Sequence, residues 1–421
     1  MQLAILSREP DSYTTRRLHD VAIARGHGVR VLDTLHLHLN ITPDGPRLFY
    51  AGEPLEGIEA VIPRIGASIT AYGVSMLRQF ELMNITCLNG SAGIACSRDK
   101  LQALQLMAEQ RIAKALADTG AEAAAVIVMD PRTGEVLVMA NGPSFDSNDP
   151  GKGEAANMGN RAVMSVYEPG SVQKILTFAA LFDSGTVEPD TKVKVPGFIK
   201  QDQFTIHDWW NHGTITLRAR GVFAKSSNLG TITLARKMPK QQLRDYYASF
   251  GLGQRTNVGI GGESAGVLPK ATMPDYTRDG IAFGTSLSVT ALQNATAVAS
   301  VVNGGVYHAP SVISTMDGQP FTPSAQNTTP RRVISEEASE QVRSLMEQQA
   351  LNQKSNSFKI DGYRIGTKTG TARLVSADCK CYRGESVVST IGVAPIENPQ
   401  VLVYSVVWNP KYNGASGAAV A

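Results

Sequence analysis

The stretch "YEPGSVQKILTFAAL", residues 167–181, contains a serine followed three positions later by a lysine. The preceding Pro169 and Gly170 break the chain and predict that a helix begins at Ser171. Because residues three apart share one face of a helix, the Lys174 amine is expected within reach of the Ser171 hydroxyl. The apolar neighbours predict burial, which lowers the pKa of a lysine. A neutral Lys174 could then act as the base that activates Ser171.

An isolated serine-x-x-lysine pair is weak evidence, because it occurs by chance in many chains of this size. Ser171 could simply cap a helix, and Lys174 could extend from the helix end into solvent. A second segment, "AKSSNLG", strengthens the catalytic hypothesis. Its Ser226 and Asn228 add a hydroxyl and an amide that could relay a proton and hold a substrate carbonyl.

A third segment, "GTKTGTA", is predicted to be a strand and contains Lys368, Thr369, Gly370 and Thr371. Lys368 and Thr369 suit a substrate carboxylate, and Gly370 would leave room for a substrate backbone to lie alongside as an added strand. The three segments occur in the order serine-x-x-lysine, serine-x-asparagine and lysine-threonine-glycine. That set is typical of β-lactamases and penicillin-binding proteins.

Longer segments extend this resemblance from about residue 110 to the end of the sequence. "YEPGS", "DWWNHGTITL", "KSSNLG", "FGTSLSVTALQ", "KTGTA" and "IGVAP" resemble a class B penicillin-binding protein, the monofunctional peptidoglycan D,D-transpeptidase of septation or elongation. The septal branch is the closer match. The resemblance implies an α+β serine transpeptidase domain with an antiparallel sheet and a helical subdomain. It also implies peptidoglycan stem peptides and β-lactams as ligands, and divisome proteins as partners.

The resemblance implies roles for the matching positions. Ser171 would be the acylated nucleophile and Lys174 its base. The second motif would be Ser226 and Asn228, and the third Lys368, Thr369 and Gly370. The backbone N–H groups of Ser171 and Thr371 would bind the oxyanion. A β-lactam would acylate the same serine.

The sequence departs from the family pattern in four places. Thr367 and Ser286 stand where the family often has glycine. The family's membrane anchor and elongated N-terminal pedestal are expected to be missing. The sequence also ends at "YNGASGAAVA", where the family continues into a helix that covers the sheet. A bare sheet face would expose apolar surface and weaken the domain.

Residues 1–108 alternate short β runs with helical patterns and predict an open α/β sheet. "LAILSREPDSYTTRRLHDVAIARGHGVRVLD", "AVIPRIGASITAYGVSMLRQFELM" and "SRDKLQALQLMA" resemble the N-terminal, pre-ATP-grasp domain of the ligase that adds glutamate to a small-subunit ribosomal protein. The ATP-grasp body of that family is expected to be absent, and ATP binding is not expected. We therefore interpret the chain as a fusion of this domain with a transpeptidase domain over residues 109–421.

In the second domain, "VIVMDPRTGEVLVMAN" predicts a hairpin near the start, and three apolar segments near the end predict three more strands. Strands at both ends with helices between them indicate an α+β domain whose ends share one sheet. The stretch 281–306 is long enough to span a bilayer but too polar, so a buried helix is expected. The first residues do not have the pattern of a signal peptide, which predicts a cytoplasmic chain as written, whereas the family implies a membrane protein with an extracytoplasmic catalytic domain.

Composition excludes other classes of function. The 421 residues are 43% hydrophobic and 18% charged, with a formal net charge of +3 and no basic block that would indicate nucleic-acid binding. Cys379 and Cys381 form a C-x-C in a polar loop, which supplies only two soft ligands, so a plain loop is favoured over a metal or redox pair. His36 and His38 are interpreted as surface residues. No cofactor or metal is expected.

Three functions remain open from the sequence. The leading hypothesis is a serine D,D-transpeptidase acting through an acyl-enzyme on Ser171. A β-lactamase or D,D-carboxypeptidase would need a base for a deacylating water, and no Glu-x-x-x-Asn segment lies at a familiar place for that role. The third hypothesis is an inactive fusion whose motifs do not converge.

Overall fold

The computed structural model describes residues 1–42, 45–146, 149–154, 157–201, 204–313, 315–316, 319–320, 329–352, 358–375 and 381–412. The chain divides into two compact units, Met1–Leu106 and Met107–Ala421. The division falls within one helix, Lys100–Thr119, close to the boundary that the sequence predicts at residue 108.

The first unit contains an open α/β sheet, as the alternating β and helical patterns predict. Its strands are β1 Gln2–Leu6, β2 Gly28–Leu32, β3 Leu37–Thr42, β4 Gly45–Tyr50, β5 Glu53–Pro54, β6 Ala60–Pro63 and β7 Thr86–Cys87. Its helices are α1 Tyr13–Ala24, α2 Thr70–Leu82, α3 Ser91–Arg98 and the start of α4 Lys100–Thr119. The sheet order is β2-β1-β6-β7 with every pair parallel, and β3, β4 and β5 form a separate antiparallel sheet. The predicted open α/β fold is confirmed.

The second unit is built on a five-stranded antiparallel sheet of order β18-β19-β20-β8-β9. These strands are β8 Ala123–Met129, β9 Val136–Gly142, β18 Gly366–Val375, β19 Tyr382–Ala394 and β20 Val401–Trp408. The last strand pairs with the first, since Trp408 lies opposite Ala123 and Leu402 opposite Met129. The predicted sheet formed from both ends of the domain is confirmed. It leaves β18, which contains the lysine-threonine-glycine motif, as an edge strand.

Helices and short strands of the second unit connect β9 to β18. The helices are α5 Arg161–Met164, α6 Lys174–Asp183, α7 Ala219–Ala224, α8 Asn228–Ala235, α9 Lys240–Ser249, α10 Asp275–Phe283, α11 Ala291–Val302 and α12 Glu336–Leu351. The short strands are β10 Lys192–Val195, β11 Ile199–Gln201, β12 Phe204–Ile206, β13 Ile215–Arg218, β14 Val306–Tyr307, β15 Thr315–Met316, β16 Gln319–Pro320 and β17 Arg331–Arg332. One core joins the helices to the sheet, and α6 lies in its centre.

The apolar stretch 281–306 does not form the single helix that its composition predicts. It contains the end of α10, a loop, and α11, all of whose residues are buried. Gly284 ends α10 in the left-handed conformation with φ +99°, and Thr290 begins α11 with a reciprocal capping box to Gln293. These local signals divide the stretch into two helices. Burial of α11 on all sides explains why a segment of this length is so apolar.

Helix α4 packs on part of the face of the large sheet opposite the main core. Ala108 and Ile112 of this helix are buried against a cluster from four strands: Ala124, Val138, Ala140, Val388 and Val407. The expectation of a bare sheet face therefore needs correction where α4 packs, whereas Val403 on the same face is still 37% exposed. Helix α4 supplies apolar contacts on this face that the sequence pattern did not predict.

The structure also bears on the predictions for the C-x-C cysteines, the histidines, membrane helices and metal ligands. Cys381 is disulfide-bonded, so the plain-loop interpretation of the C-x-C is wrong for this residue, while Cys379 lies outside the described residues. His38 stacks on Phe49, with ring centroids 5.3 Å apart. Over the ranges that the structure describes, no helix is long and apolar enough to cross a bilayer, and no three His, Cys, Asp or Glu side chains are grouped to hold a metal ion.

Candidate active site

The Ser171 hydroxyl and the Lys174 amine are arranged by a 3₁₀ turn. Gly170–Gln173 form this turn, and α6 begins at Lys174. A helix therefore begins near Ser171 as predicted, but its first turn is 3₁₀ rather than α-helical. With three residues per turn, positions i and i+3 eclipse each other. Ser171 and Lys174 are therefore aligned more closely than an α-helix would place them. Lys174 is completely buried.

The loop before Ser171 lies directly against the edge strand β18. Gly170 has φ +56°, and a Cβ at this position would lie 2.6 Å from the Thr371 carbonyl oxygen. A Cβ on Gly370 would lie 2.8 Å from the Pro169 carbonyl oxygen and 2.7 Å from Ser389 Oγ. The need for glycine at 370 therefore comes from the packing of the Ser171 loop rather than from substrate space alone. These two glycines bring the first and third motifs together.

The second motif lies at a tight corner between α7 and α8. Ser226 N–H donates to Phe223 O and Ser227 N–H donates to Val222 O, which is the Schellman pattern that ends a helix. Ser226 occupies the left-handed position of this pattern, with φ +53°, where glycine is usual. Ser227 then caps α8, since its Oγ accepts from Gly230 N at 2.8 Å. The contacts that the Ser226 side chain and carbonyl make explain why a serine, rather than glycine, occupies this left-handed position.

Those contacts hold the buried Lys174 amine. Its Nζ donates to Ser226 O at 2.6 Å, to Asn228 Oδ1 at 2.8 Å and to Ser226 Oγ at 3.2 Å. Burial lowers the pKa of Lys174 well below its usual value, and the nearby Lys368 lowers it further, while Asp208 acts in the opposite direction. The structure thus brings the first and second motifs together around an amine that loses its proton easily.

Lys368 completes the group from the opposite side. Its Nζ donates to Ser226 Oγ and to Thr369 O, both at 3.0 Å, and burial lowers its pKa to about 7. Ser226 Oγ therefore accepts hydrogen bonds from two lysines. A hydroxyl can accept a hydrogen bond from one group while it donates its own proton to another, which suits a proton relay.

The remaining predicted residues are placed around this centre. Thr369 is half-buried and Thr371 is exposed on β18. Thr367 is buried, and its hydroxyl donates to Ile391 O at 2.8 Å, which anchors β18 to β19. Ser171 Oγ makes no hydrogen bond to any residue that the structure describes. The assignment of oxyanion donors to Ser171 and Thr371 stays a prediction.

Unfolding of the second unit is expected to respond to the titration of Lys368. Between about pH 7 and 10 the folded lysine is mostly neutral while the unfolded lysine is protonated, so raising the pH favours the folded state by about 1.4 kcal/mol per unit. Below pH 7 both states are charged and this dependence disappears. Lys368→Met should therefore remove about 1.4 kcal/mol per pH unit from the rise in unfolding free energy between pH 7.5 and 9.5.

This effect can be measured by urea denaturation followed by tryptophan fluorescence, since all three tryptophans, Trp209, Trp210 and Trp408, lie in the second unit. Lys225→Met is the matched control, because Lys225 is exposed. Equal pH slopes for wild type and Lys368→Met would contradict the lowered pKa of Lys368.

Two acidic residues of the site were not singled out by the sequence reasoning. Asp208 is buried beneath the second motif, and Glu168 accepts from Ser286 N at 2.7 Å and from Tyr382 Oη at 3.2 Å. Burial raises the pKa of Glu168. Both lie in segments that carry the family resemblance, "DWWNHGTITL" and "YEPGS". The resemblance could therefore have drawn attention to them, but their contacts did not follow from the sequence pattern.

The Glu168 contact involves a strained residue. Ser286 has φ +61°, a left-handed conformation that costs a non-glycine residue about 1–2 kcal/mol, while glycine loses about 0.5–1 kcal/mol more backbone entropy on folding. Ser286→Gly is therefore expected to raise the unfolding free energy by about 0.5–1 kcal/mol. Tryptophan-monitored urea denaturation measures it. Ser288→Gly, at a position with ordinary φ, should instead lower stability, and a loss in both variants would count against backbone strain at 286.

Comparison with known proteins identifies the family of the second unit. Residues 124–421 match the model of the penicillin-binding protein transpeptidase domain. The chain belongs to this family. Penicillin-binding protein PbpB of Mycolicibacterium smegmatis is 36% identical to this chain over 314 residues, 71% of the chain and 48% of the relative. Peptidoglycan D,D-transpeptidase FtsI of Escherichia coli K12 is 34% identical over 350 residues, 82% of the chain and 57% of the relative.

Solved structures of penicillin-binding proteins have the same fold. Penicillin-binding protein 3 from Mycobacterium tuberculosis, in complex with aztreonam, superposes with a TM-score of 0.68 at 33% identity, covering 75% of this chain and 73% of that one. The chain spans about half the length of the curated PbpB relatives it matches. The predicted penicillin-binding transpeptidase fold is confirmed.

The first unit belongs to a different family. Residues 1–94 match the RimK PreATP-grasp domain, which confirms the ligase-like N-terminal domain expected from the sequence. The two matches do not overlap, so the chain is a fusion of a PreATP-grasp domain and a penicillin-binding transpeptidase domain.

Proposed function

We propose that this chain is a serine D,D-transpeptidase that cross-links peptidoglycan stem peptides through an acyl-enzyme on Ser171. One observation carries the proposal: the amine of Lys174 is buried, held by Ser226 and Asn228, and placed one 3₁₀ turn from the Ser171 hydroxyl. The lowered pKa of this amine gives it the properties of a general base.

Acylation follows from the roles of these groups. Ser171 Oγ attacks the carbonyl carbon of the D-Ala-D-Ala peptide bond while its proton passes to neutral Lys174. Collapse of the tetrahedral intermediate breaks the C–N bond, and the departing amine of D-Ala receives a proton through Ser226. An amine of a neighbouring stem peptide then attacks the ester carbonyl, the C–O bond to Ser171 breaks, and a proton from the amine restores the Ser171 hydroxyl.

The third motif would position the substrate. Lys368 and Thr369 would bind the terminal carboxylate of the donor peptide, and its charge would raise the pKa of Lys368 from about 7 so that the amine is protonated in the complex. The edge strand β18 would pair with the extended peptide by strand addition. Backbone N–H groups of Ser171 and Thr371 would stabilise the oxyanion.

The compartment and partners are part of this proposal. Stem peptides of mature peptidoglycan lie outside the cytoplasm, so the reaction requires the transpeptidase unit to face that side. The disulfide-bonded Cys381 supports an oxidising environment, since such bonds are rare in reducing ones. Divisome proteins are the partners that the family resemblance favours.

Intact mass spectrometry of the full chain with benzylpenicillin tests the proposal. We expect a one-to-one adduct that persists for hours, and peptide mapping should place it on Ser171. Rapid loss of the adduct with hydrolysed penicillin in solution would instead support the β-lactamase or carboxypeptidase hypothesis. No adduct with a cooperative unfolding transition would show an inactive fusion whose motifs do not complete a working site.

A further inference from the structure

We propose that Asp208 and His212 form a buried ion pair that acts as a positioning element for the acylation site, holding the Ser226–Asn228 corner against Lys174. This inference rests on the proposed function, because it concerns the same base. It assigns a role to two residues outside the three motifs.

Asp208 is the centre of a dense set of hydrogen bonds. Its Oδ1 accepts from the backbone N–H groups of Asn228 at 2.6 Å and Leu229 at 3.1 Å. Its Oδ2 accepts from Ser227 Oγ at 2.6 Å, and its side chain is completely buried. The carboxylate thus satisfies donors at the start of α8, where a negative charge is also favoured by the helix dipole.

His212 supplies the opposite charge. Its Nδ1 lies 2.6 Å from Gly213 O and its Nε2 lies 3.1 Å from Asp208 Oδ2. A carbonyl and a carboxylate only accept hydrogen bonds, so the imidazolium form, with a proton on each ring nitrogen, is the form of His212 that makes both contacts. In that form the ring is the charged partner of the Asp208 carboxylate. Its side chain is only 7% exposed, and the Trp210 ring lies 5.0 Å from it.

The corner that Asp208 holds is the one that holds Lys174. Ser226 O, Ser226 Oγ and Asn228 Oδ1 accept from the Lys174 amine, and Asp208 binds the next backbone positions of the same corner. The charges facing this amine are Lys368, which favours its neutral form, and Asp208, which favours its protonated form. His212 partly compensates the Asp208 charge. The pair therefore determines where the base lies and how readily it loses its proton.

A purely structural helix cap makes a different prediction from this positioning role. Loss of a cap would lower stability and reduce the acylation rate by one factor at every pH. Loss of either charge would also move the protonation midpoint of Lys174, and in opposite directions. Asp208→Asn keeps an acceptor for α8 while removing the negative charge, so the midpoint should fall by about one pH unit. His212→Gln keeps a donor while removing the positive charge, so the midpoint should rise.

The decisive measurement is the ¹³Cε signal of Lys174 against pH in the full chain labelled with [¹³Cε]lysine. The signal is assigned by its disappearance in Lys174→Met. The acylation rate with benzylpenicillin is recorded at each pH as a second readout. Asp275→Asn is the matched control, because its side chain is 73% exposed, and it should leave the midpoint unchanged.

Opposite shifts in the two variants support the ion pair. Unchanged midpoints, or shifts in one direction, overturn it and leave Asp208 as a cap. If Asp208→Asn does not fold, the direction of the His212→Gln shift decides the question. If the wild type is not acylated but the midpoints still move in opposite directions, the proposed function has failed while the ion pair stands.

Discussion

Replacement of Ser171 with alanine is expected to abolish covalent labelling by β-lactams. The change removes the oxygen that forms the ester bond and leaves the rest of the site intact. Loss of the nucleophile in serine enzymes lowers the rate by about 10⁶-fold, so acylation should fall below detection. Ser171 Oγ has no hydrogen-bond partner among the described residues, so the unfolding free energy should hardly change. Intact mass after incubation with benzylpenicillin, together with urea denaturation, measures both effects.

Ser165→Ala is the matched control for this experiment, because Ser165 is similarly half-buried and its hydroxyl has no hydrogen bond within the described residues. It should acylate at the wild-type rate. An adduct of full occupancy on Ser171→Ala would show that another residue is the nucleophile. That result would remove the basis of the proposed function.

Replacement of Lys174 with methionine is expected to slow acylation by roughly 10²–10⁴-fold, the usual contribution of a general base. Methionine retains the length and apolar character of the side chain but has no basic nitrogen. The change leaves Ser226 O and Asn228 Oδ1 without their buried donor, at about 1–3 kcal/mol for each group, and this is offset because no amine needs to be desolvated. The acylation rate constant, measured with a fluorescent penicillin, and urea denaturation separate catalysis from stability.

The matched control is Lys225→Met, which makes the same change at an exposed position one residue before Ser226. This variant should acylate normally. A Lys174→Met protein that acylates within threefold of wild type would rule out the amine as the base. Ser226 would then have to receive the Ser171 proton by another route.

The architecture of both units follows from short-range patterns in the sequence. Alternating β runs and amphipathic helices indicated the open α/β sheet of the first unit, and five predicted strands of the second unit correspond to β8, β9, β18, β19 and β20. Periodicity is a local property, so it predicts elements well. It could not show that α4 packs on the outer face of the large sheet, because that contact depends on where distant strands lie.

The stretch 281–306 shows where composition alone misleads. Its apolar content predicted one buried helix, whereas Gly284 and the Thr290 capping box divide it into α10 and α11. Helix ends depend on particular hydrogen bonds and on the left-handed conformation at one residue, which an average over the stretch does not detect.

By itself the sequence predicted which side chains would react: a serine and a lysine at helical spacing, a serine-x-asparagine corner and a lysine-threonine-glycine strand. It also identified the two families. Only the tertiary structure decided how these groups act on one another. The 3₁₀ turn aligns Ser171 with Lys174, the close packing at Gly370 joins the first and third motifs, and Ser226 lies between two buried lysines. The physical reason is that pKa values depend on burial and on neighbouring charges, and both are set by contacts between residues far apart in the chain.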